Sequence, residues 1–215
     1  MILLAIVGTL LAQHARAEAI TRQHSDLDPH ASLAKYRGEG IFPLQGKPTQ
    51  ARLYIQNMDA DEDLEYLLLL ADLSYQVAIV MKQIDGKWWN LASLLGRNRG
   101  ELDAFVSLKP LVWPGTYDVI LRAGGSQGTG VGATTQSVYR ILRGNMYKVF
   151  EVVDGSYNWT STESANVTYP GPDDDVKTIV ARRIRNSANG GRKVTSCEAF
   201  RWNPKEFVFL STQCH

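Results

Sequence analysis

Apolar and polar residues alternate over short segments along most of the chain, and Gly, Pro, Asn and Asp separate these segments. A side-chain period of two predicts β-strands, and the separating residues predict turns. The predicted strands are 51–56, 66–71, 77–83, 88–94, 103–108, 116–123, 136–142, 146–153, 177–185, 194–202 and 207–212. We therefore predict an all-β protein of antiparallel meanders, arranged either as propeller-like blades or as a sandwich.

Three dipeptide or tripeptide signals place hairpin turns between these strands. Asp85-Gly86, Arg143-Gly144 and the Asn-Gly-Gly sequence at 189–191 offer residues that tolerate positive φ. The glycine-rich stretch 124–132 also joins two predicted strands. A phosphate-binding loop would instead open a helix and carry a suitably placed lysine. We interpret this stretch as a hairpin connection.

The first 17 residues have the pattern of a signal peptide. Residues 2–12 are apolar, and Ala15-Arg16-Ala17 provides the small residues that precede a cleavage site. A membrane-spanning helix needs about 20 apolar residues, so this segment is too short to span a bilayer. We predict cleavage after Ala17 and a periplasmic or extracellular location; a buried N-terminal element is the alternative. Residues 18–50 then form a polar segment before an all-β domain at 51–215.

The charge balance excludes an electrostatic case for nucleic acid or for an anionic membrane. The chain has 23 Lys and Arg against 22 Asp and Glu. Removing residues 1–17 removes Arg16 and no acid, which leaves 22 of each sign. A balanced surface does not attract a polyanion. We predict no nucleic-acid partner and no stable membrane insertion after cleavage.

The two cysteines of the chain, Cys197 and Cys214, lie in its last predicted hairpin. Export to an oxidising compartment favours a disulfide between them. Pairing Trp202 with Phe207 across the turn would place the two cysteines diagonally on one face. We predict a C-terminal disulfide hairpin; two independent buried thiols are the alternative.

Oxygen-bearing side chains recur at alternate positions of the loop before strand 66–71. Asn57, Asp59, Asp61 and Glu65 occupy relative positions one, three, five and nine. Hard cations such as calcium bind six to eight oxygen ligands, and a tight loop can turn alternate side chains towards one centre. The spacing predicts a calcium site that stabilises the turn. A solvated acidic turn is the alternative.

Residues 51–94 resemble a single blade of the FG-GAP or VCBS repeat family. The order of strand, acidic loop, apolar strand, third strand, Asp-Gly turn and fourth strand matches such a blade. The resemblance implies that Asn57, Asp59, Asp61 and Glu65 are calcium ligands and that the carbonyl of Asp63 is a further one. Glu62 stands where the family has glycine. No second copy of this loop is found in the chain, which excludes a propeller of identical repeats.

Residues 155–175 form a long polar stretch without periodicity, and we predict a loop there that could divide the β domain. Long loops of this kind are functional or disordered. Tyr157, Trp159 and Tyr169 lie in it, and we predict that these aromatic residues face a ligand. The alternative is that they hold the loop against its own sheet.

These features favour an exported β-sheet binding or interaction module with a calcium-stabilised acidic loop. Its ligand would be a protein or a glycan. None of the four histidines lies in a predicted core strand near a Ser or Cys, so a hydrolase triad has no support. We name no catalytic residue and favour a non-enzyme. A secreted glycosidase-like hydrolase whose acid pair is unidentified, or a structural envelope component, are the alternatives.

Overall fold

The computed structural model describes residues 18–20, 22–24, 28–29, 50–71, 75–97, 106–126, 131–159, 161–187 and 194–214. The strands are β1 (Glu18–Ile20), β2 (Gln23–His24), β3 (Gln50–Gln56), β4 (Glu65–Ala71), β5 (Tyr75–Ile84), β6 (Lys87–Arg97), β7 (Val106–Lys109), β8 (Asp118–Ser126), β9 (Gly132–Leu142), β10 (Asn145–Tyr157), β11 (Ser161–Thr168), β12 (Thr178–Ser187), β13 (Val194–Asn203) and β14 (Val208–Thr212). In this part of the chain, no helix has the length and apolarity needed to cross a membrane. The prediction of an all-β protein is confirmed.

The strands form two antiparallel sheets. Within each sheet, strands that follow one another in the chain are neighbours, except for β1 and β2. One sheet has the order β2-β6-β5-β4-β3, and the other runs from β14 through to β7, with β1 added on β10. Apart from β1 and β2, the strands divide into three four-stranded meanders. We call β3–β6 the first meander, β7–β10 the second and β11–β14 the third. The predicted meander topology is therefore confirmed.

Two hydrophobic cores lie on opposite faces of the second meander. Val119 and Leu121 of β8 contribute to the core shared with the first meander. Ile120, between them, contributes to the core shared with the third meander, where Phe150 packs against Phe209 at a ring distance of 5.9 Å. Because successive side chains of a strand point to opposite faces, the uninterrupted apolar run at 119–121 follows from burial on both sides.

The first meander is likewise buried on both faces. Leu67 and Leu69 of β4 face the core shared with the second meander, whereas Leu68 and Leu70 belong to a cluster on the other face. Burial on both faces explains why β4 is a continuous apolar run rather than an alternating one.

The two adjacent tryptophans of β6 point in opposite directions, as the strand geometry predicts. Trp88 packs edge-on against Tyr66 with ring centroids 4.9 Å apart, and Trp89 packs against the core shared with the second meander.

The structure confirms the hairpin turns that it describes. The turn between β5 and β6 has φ of 52° at Asp85 and 73° at Gly86, and the turn between β9 and β10 has 53° at Arg143 and 72° at Gly144. Positive φ at both central residues gives the twist that such hairpins require. The glycine-rich stretch also joins two paired strands, β8 and β9. The predicted turn at 189–191 and the signal peptide at 1–17 lie outside the described residues.

The predicted loop at 155–175 is wrong over most of its length. β10 continues to Tyr157, and β11 pairs with β12 from Ser161 to Thr168. The less exposed side of β11 carries Ser, Glu, Ala and Val, so its hydrophobic alternation is too weak to reveal a strand. The passage from the second to the third meander falls at this hairpin. The polar N-terminal segment contains two further strands that its sequence did not predict, β1 and β2.

The disulfide between Cys197 and Cys214 is confirmed, with Cα atoms 5.9 Å apart. The predicted register of this hairpin is wrong, because Trp202 pairs with Phe209 rather than with Phe207. Phe207 stays in the turn with φ of 55°, and its N–H donates a 2.9 Å hydrogen bond to the carbonyl of Asn203. The longer turn places the two cysteines directly opposite each other. A disulfide indicates an oxidising compartment.

Candidate metal centre

Three acidic side chains converge where the loop after β3 enters β4. One carboxylate oxygen from each of Asp59, Asp61 and Glu65 lies within 4.8 Å of the others. Carboxylate oxygens are ligands for hard cations. The three residues form a possible metal site, as the alternating spacing predicted.

Short-range hydrogen bonds of the loop turn these side chains inwards. The N–H of Asp61 donates to Asp59 Oδ1 at 3.1 Å, and the N–H of Asp63 donates to Asp61 Oδ1 at 3.0 Å. Such bonds are typical of turns in which an Asp side chain binds the backbone two residues ahead. Asn57 Nδ2 donates to the carbonyl of Asp61 at 2.8 Å. Asn57 Oδ1 is buried and has no hydrogen-bond donor among the described residues.

A cation that the sequence interpretation missed lies at the centre of the triad. Lys82 Nζ is 2.7 Å from Asp59 Oδ2 and 2.5 Å from Asp61 Oδ2. It is also 2.7 Å from Glu65 Oε1, which forms an ion pair there but no well-aligned hydrogen bond. Lys82 lies directly opposite Glu65 in the register of β4 and β5. The available signal was a lysine directly after the apolar run 77–81, because a charge that a strand carries into the interior requires a partner.

The site changes the pKa of each of its ionisable groups. Burial raises the pKa of Glu65 and of Asp59, even though the neighbouring ammonium of Lys82 opposes this. Burial acts in the same direction on Asp61, but its hydrogen bonds, the one from Lys82 above all, lower its pKa below the ordinary value. Burial lowers the pKa of Lys82, yet the three carboxylates outweigh burial and raise it. Lys82 therefore remains a cation at any physiological pH.

The second meander repeats the acid–cation pair at the same place. Asp118 begins β8 as Glu65 begins β4, and Arg140 binds it through Nε to Oδ1 at 2.6 Å and Nη2 to Oδ2 at 2.9 Å. Lys82 and Arg140 each lie three residues before the turn residue with positive φ, Asp85 or Arg143.

Backbone contacts of the two acids also correspond. Glu65 Oε2 accepts a 2.6 Å hydrogen bond from the N–H of Met58, seven residues earlier. Asp118 Oδ2 accepts a 3.2 Å hydrogen bond from the N–H of Leu111, also seven residues earlier. The first two meanders are therefore structural repeats. The sequence did not reveal this because Val112 and Pro114 of the second meander stand at the positions of Asp59 and Asp61.

Aromatic rings enclose the cation of the second meander. The guanidinium of Arg140 lies 4.2 Å from the ring centre of Trp113 and 5.5 Å from that of Trp202. Arg140 and Asp118 are both almost completely buried. Stacking and a bidentate ion pair together fix this guanidinium in one position.

The aromatic residues predicted to face a ligand are not equivalent in the structure. Trp159, at the tip of the β10–β11 hairpin, has 71 % of its surface exposed, and Tyr157 has 39 %. Tyr169 instead packs on the core between the second and third meanders. Its hydroxyl donates a 2.7 Å hydrogen bond to Gln136 Oε1, and burial raises its pKa. Tyr157 and Trp159 lie at the surface, and Tyr169 lies largely inside.

The fold and the site define an all-β protein with two antiparallel sheets, a C-terminal disulfide and a possible acidic metal site. Comparison of the chain with protein-family models, with curated proteins and with solved structures gives no match. The resemblance of residues 51–94 to a repeat blade therefore stays a prediction.

Proposed function

We propose that this protein is an exported β-sheet binding module whose acidic loop binds calcium. The observation that carries the proposal is the convergence of Asp59, Asp61 and Glu65, whose ligand oxygens lie within 4.8 Å of one another. A bound ion would hold the loop in one conformation at the start of β4. The domain would bind a ligand on a rigid sheet rather than catalyse a reaction.

The chemistry of the donor set favours calcium. All its groups are oxygens, which hard cations prefer, whereas zinc favours Cys and His. One ammonium faces three carboxylates, and the resulting excess of negative charge attracts a divalent cation. The buried Oδ1 of Asn57 accepts no hydrogen bond from the described residues and could supply a fourth oxygen. The carbonyl of Asp63 is proposed as a further ligand.

The exposed aromatics of the β10–β11 hairpin support a binding role. A tryptophan with 71 % of its surface in solvent gains little from folding, and Tyr and Trp are enriched at interfaces. Sugar rings and protein side chains both pack on such rings. We propose that Trp159 and Tyr157 contact a glycan or protein ligand. The disulfide supports a periplasmic or extracellular location.

Calcium is expected to raise the melting temperature of the protein that lacks residues 1–17. An ion that binds only the folded state stabilises it by about 2.7 kcal/mol at a hundredfold excess over Kd, roughly 5 to 10 °C for this size. Asp61→Ala should abolish most of this response because it removes a central carboxylate. Melting curves in excess calcium chloride and in chelator provide the measurement.

Glu62→Ala is the matched control for the calcium experiment. Glu62 is an exposed acid in the same loop but is not a member of the triad, so its loss should preserve the calcium response. Superimposed melting curves of the unmutated protein with and without calcium would contradict the proposal. An equal loss of response in both variants would show a diffuse charge effect rather than a site.

Trp159→Ala is expected to reduce ligand binding and to change the melting temperature by less than about 2 °C, because exposed side chains contribute little to stability. An array of immobilised glycans, probed with both proteins in parallel, measures binding. Trp88→Ala is the contrasting variant, since Trp88 packs against Tyr66 and its loss should destabilise the fold. A large fall in melting temperature for Trp159→Ala would show that this ring is a structural anchor.

A further inference from the structure

We infer that Lys82 is an internal competitor of calcium at the acidic loop. Its ammonium holds the three carboxylates when no ion is bound, and it leaves them when calcium enters. This inference rests on the proposed calcium binding and adds a mechanism that sets its affinity.

The ammonium and the ion require the same three oxygens. One oxygen of each carboxylate already accepts a backbone hydrogen bond. The N–H of Asp61 donates to Asp59, that of Asp63 to Asp61, and that of Met58 to Glu65. The remaining oxygen of each carboxylate faces Lys82 Nζ: Asp59 Oδ2, Asp61 Oδ2 and Glu65 Oε1. A calcium ion at the centre of the triad that leaves these backbone hydrogen bonds in place would bind the same three oxygens. Two cations cannot occupy the centre together, because like charges at contact distance repel by several kcal/mol.

The second meander shows what a permanently bound cation looks like in this fold. Arg140 makes two parallel bonds to Asp118 and lies under the ring of Trp113. Trp113 lies five residues before Asp118. The residue five positions before Glu65 in the first meander is Ala60, which is exposed and offers no ring. Lys82 also has a flexible stem and a single point charge, whereas arginine binds as a rigid planar fork. The first meander therefore has a cation that can withdraw.

The charge balance of the two meanders also suggests that the cation of the first can be replaced. Asp118 and Arg140 neutralise each other. In the first meander, one ammonium faces three carboxylates, so its single charge leaves an excess that attracts a further cation. Asp61 has 52 % of its side chain exposed, which marks the side on which calcium enters and Lys82 leaves.

Isothermal titration with calcium chloride tests the inference on the unmutated protein and on Lys82→Met. Methionine keeps the length and the apolar stem but removes the charge. The Kd for calcium should fall at least about tenfold in Lys82→Met, because the ion no longer displaces an ammonium. Lys87→Met, which removes an exposed charge on β6, should change Kd less than about twofold. Equal Kd values for the unmutated protein and Lys82→Met would overturn the inference.

The titration separates this inference from the proposed function. Calcium binding by Lys82→Met but not by the unmutated protein would support Lys82 as competitor and contradict calcium as a natural ligand. Binding by neither protein would overturn both. Binding by both with equal affinity would keep the calcium site and reject the competitor.

Amine acetylation followed by peptide mass spectrometry gives a second test that needs no variant. Lys82 is almost completely buried among carboxylates, so it should react slowly in chelator. Excess calcium chloride should increase its acetylation, because the displaced ammonium becomes accessible. Lys87 should react equally in both conditions. Unchanged acetylation of Lys82 on adding calcium would overturn the inference even if Lys82→Met does not fold.

Discussion

Replacing Arg140 with methionine is expected to lower the free energy of unfolding by about 3 to 5 kcal/mol. The substitution leaves the carboxylate of Asp118, with 1 % of its surface exposed, without its bidentate partner. An uncompensated charge in the interior costs far more than the ion pair itself contributes. The rings of Trp113 and Trp202 also lose the guanidinium on which they pack. Urea unfolding of both proteins measures the difference.

The double variant Asp118→Leu with Arg140→Met is the control for this prediction. Replacing both charges by apolar side chains should restore much of the lost stability, although the N–H of Leu111 loses its acceptor. A loss below about 1 kcal/mol for Arg140→Met alone would contradict the structural role of this pair. So would a double variant that is less stable than the single one.

Replacing both cysteines with alanine is expected to lower the free energy of unfolding by about 3 kcal/mol. The bond joins residues 17 positions apart, and opening this loop raises the conformational entropy of the unfolded chain. The fold of the remaining domain should persist, because neither cysteine belongs to the two main cores. Urea unfolding without reductant measures the effect.

A reducing agent provides the internal control for the disulfide. It should destabilise the unmutated protein and leave the double alanine variant unchanged. Mass spectrometry after alkylation without reduction should find no free thiol in the unmutated protein. Equal stability of the unmutated protein and the double alanine variant without reductant would contradict the prediction. It would show that the pairing of β13 with β14 already holds this segment in place.

Most strands were predictable because burial imposes a pattern on their residues. The run at 66–71 is apolar because β4 is buried on both faces, and turn residues mark the ends of its neighbours. β11 was not predictable because its less exposed face carries mostly small and polar residues, which give no clear hydrophobic alternation. β1 and β2 were missed because such short strands owe their conformation to β10 and β6.

The candidate site was predictable only in part. Local spacing brought Asp59, Asp61 and Glu65 together, since hydrogen bonds within the loop depend on residues two positions apart. Lys82 enters through the register of β4 and β5, which depends on tertiary packing. The repeat in the second meander was hidden because Val112 and Pro114 stand where the first loop has acids, and because the pairing of Asp118 with Arg140 depends on tertiary packing.

The order of the strands has a consequence for how the chain folds. From β3 to β6, and again from β7 to β14, each strand pairs with the next one along the chain. Such contacts close short loops, so these meanders can form one after another along the chain. β1 is different, because residues 18–20 pair with residues 146–148. Its docking must await the formation of β10, and hydrogen exchange during refolding should show its amides protected last.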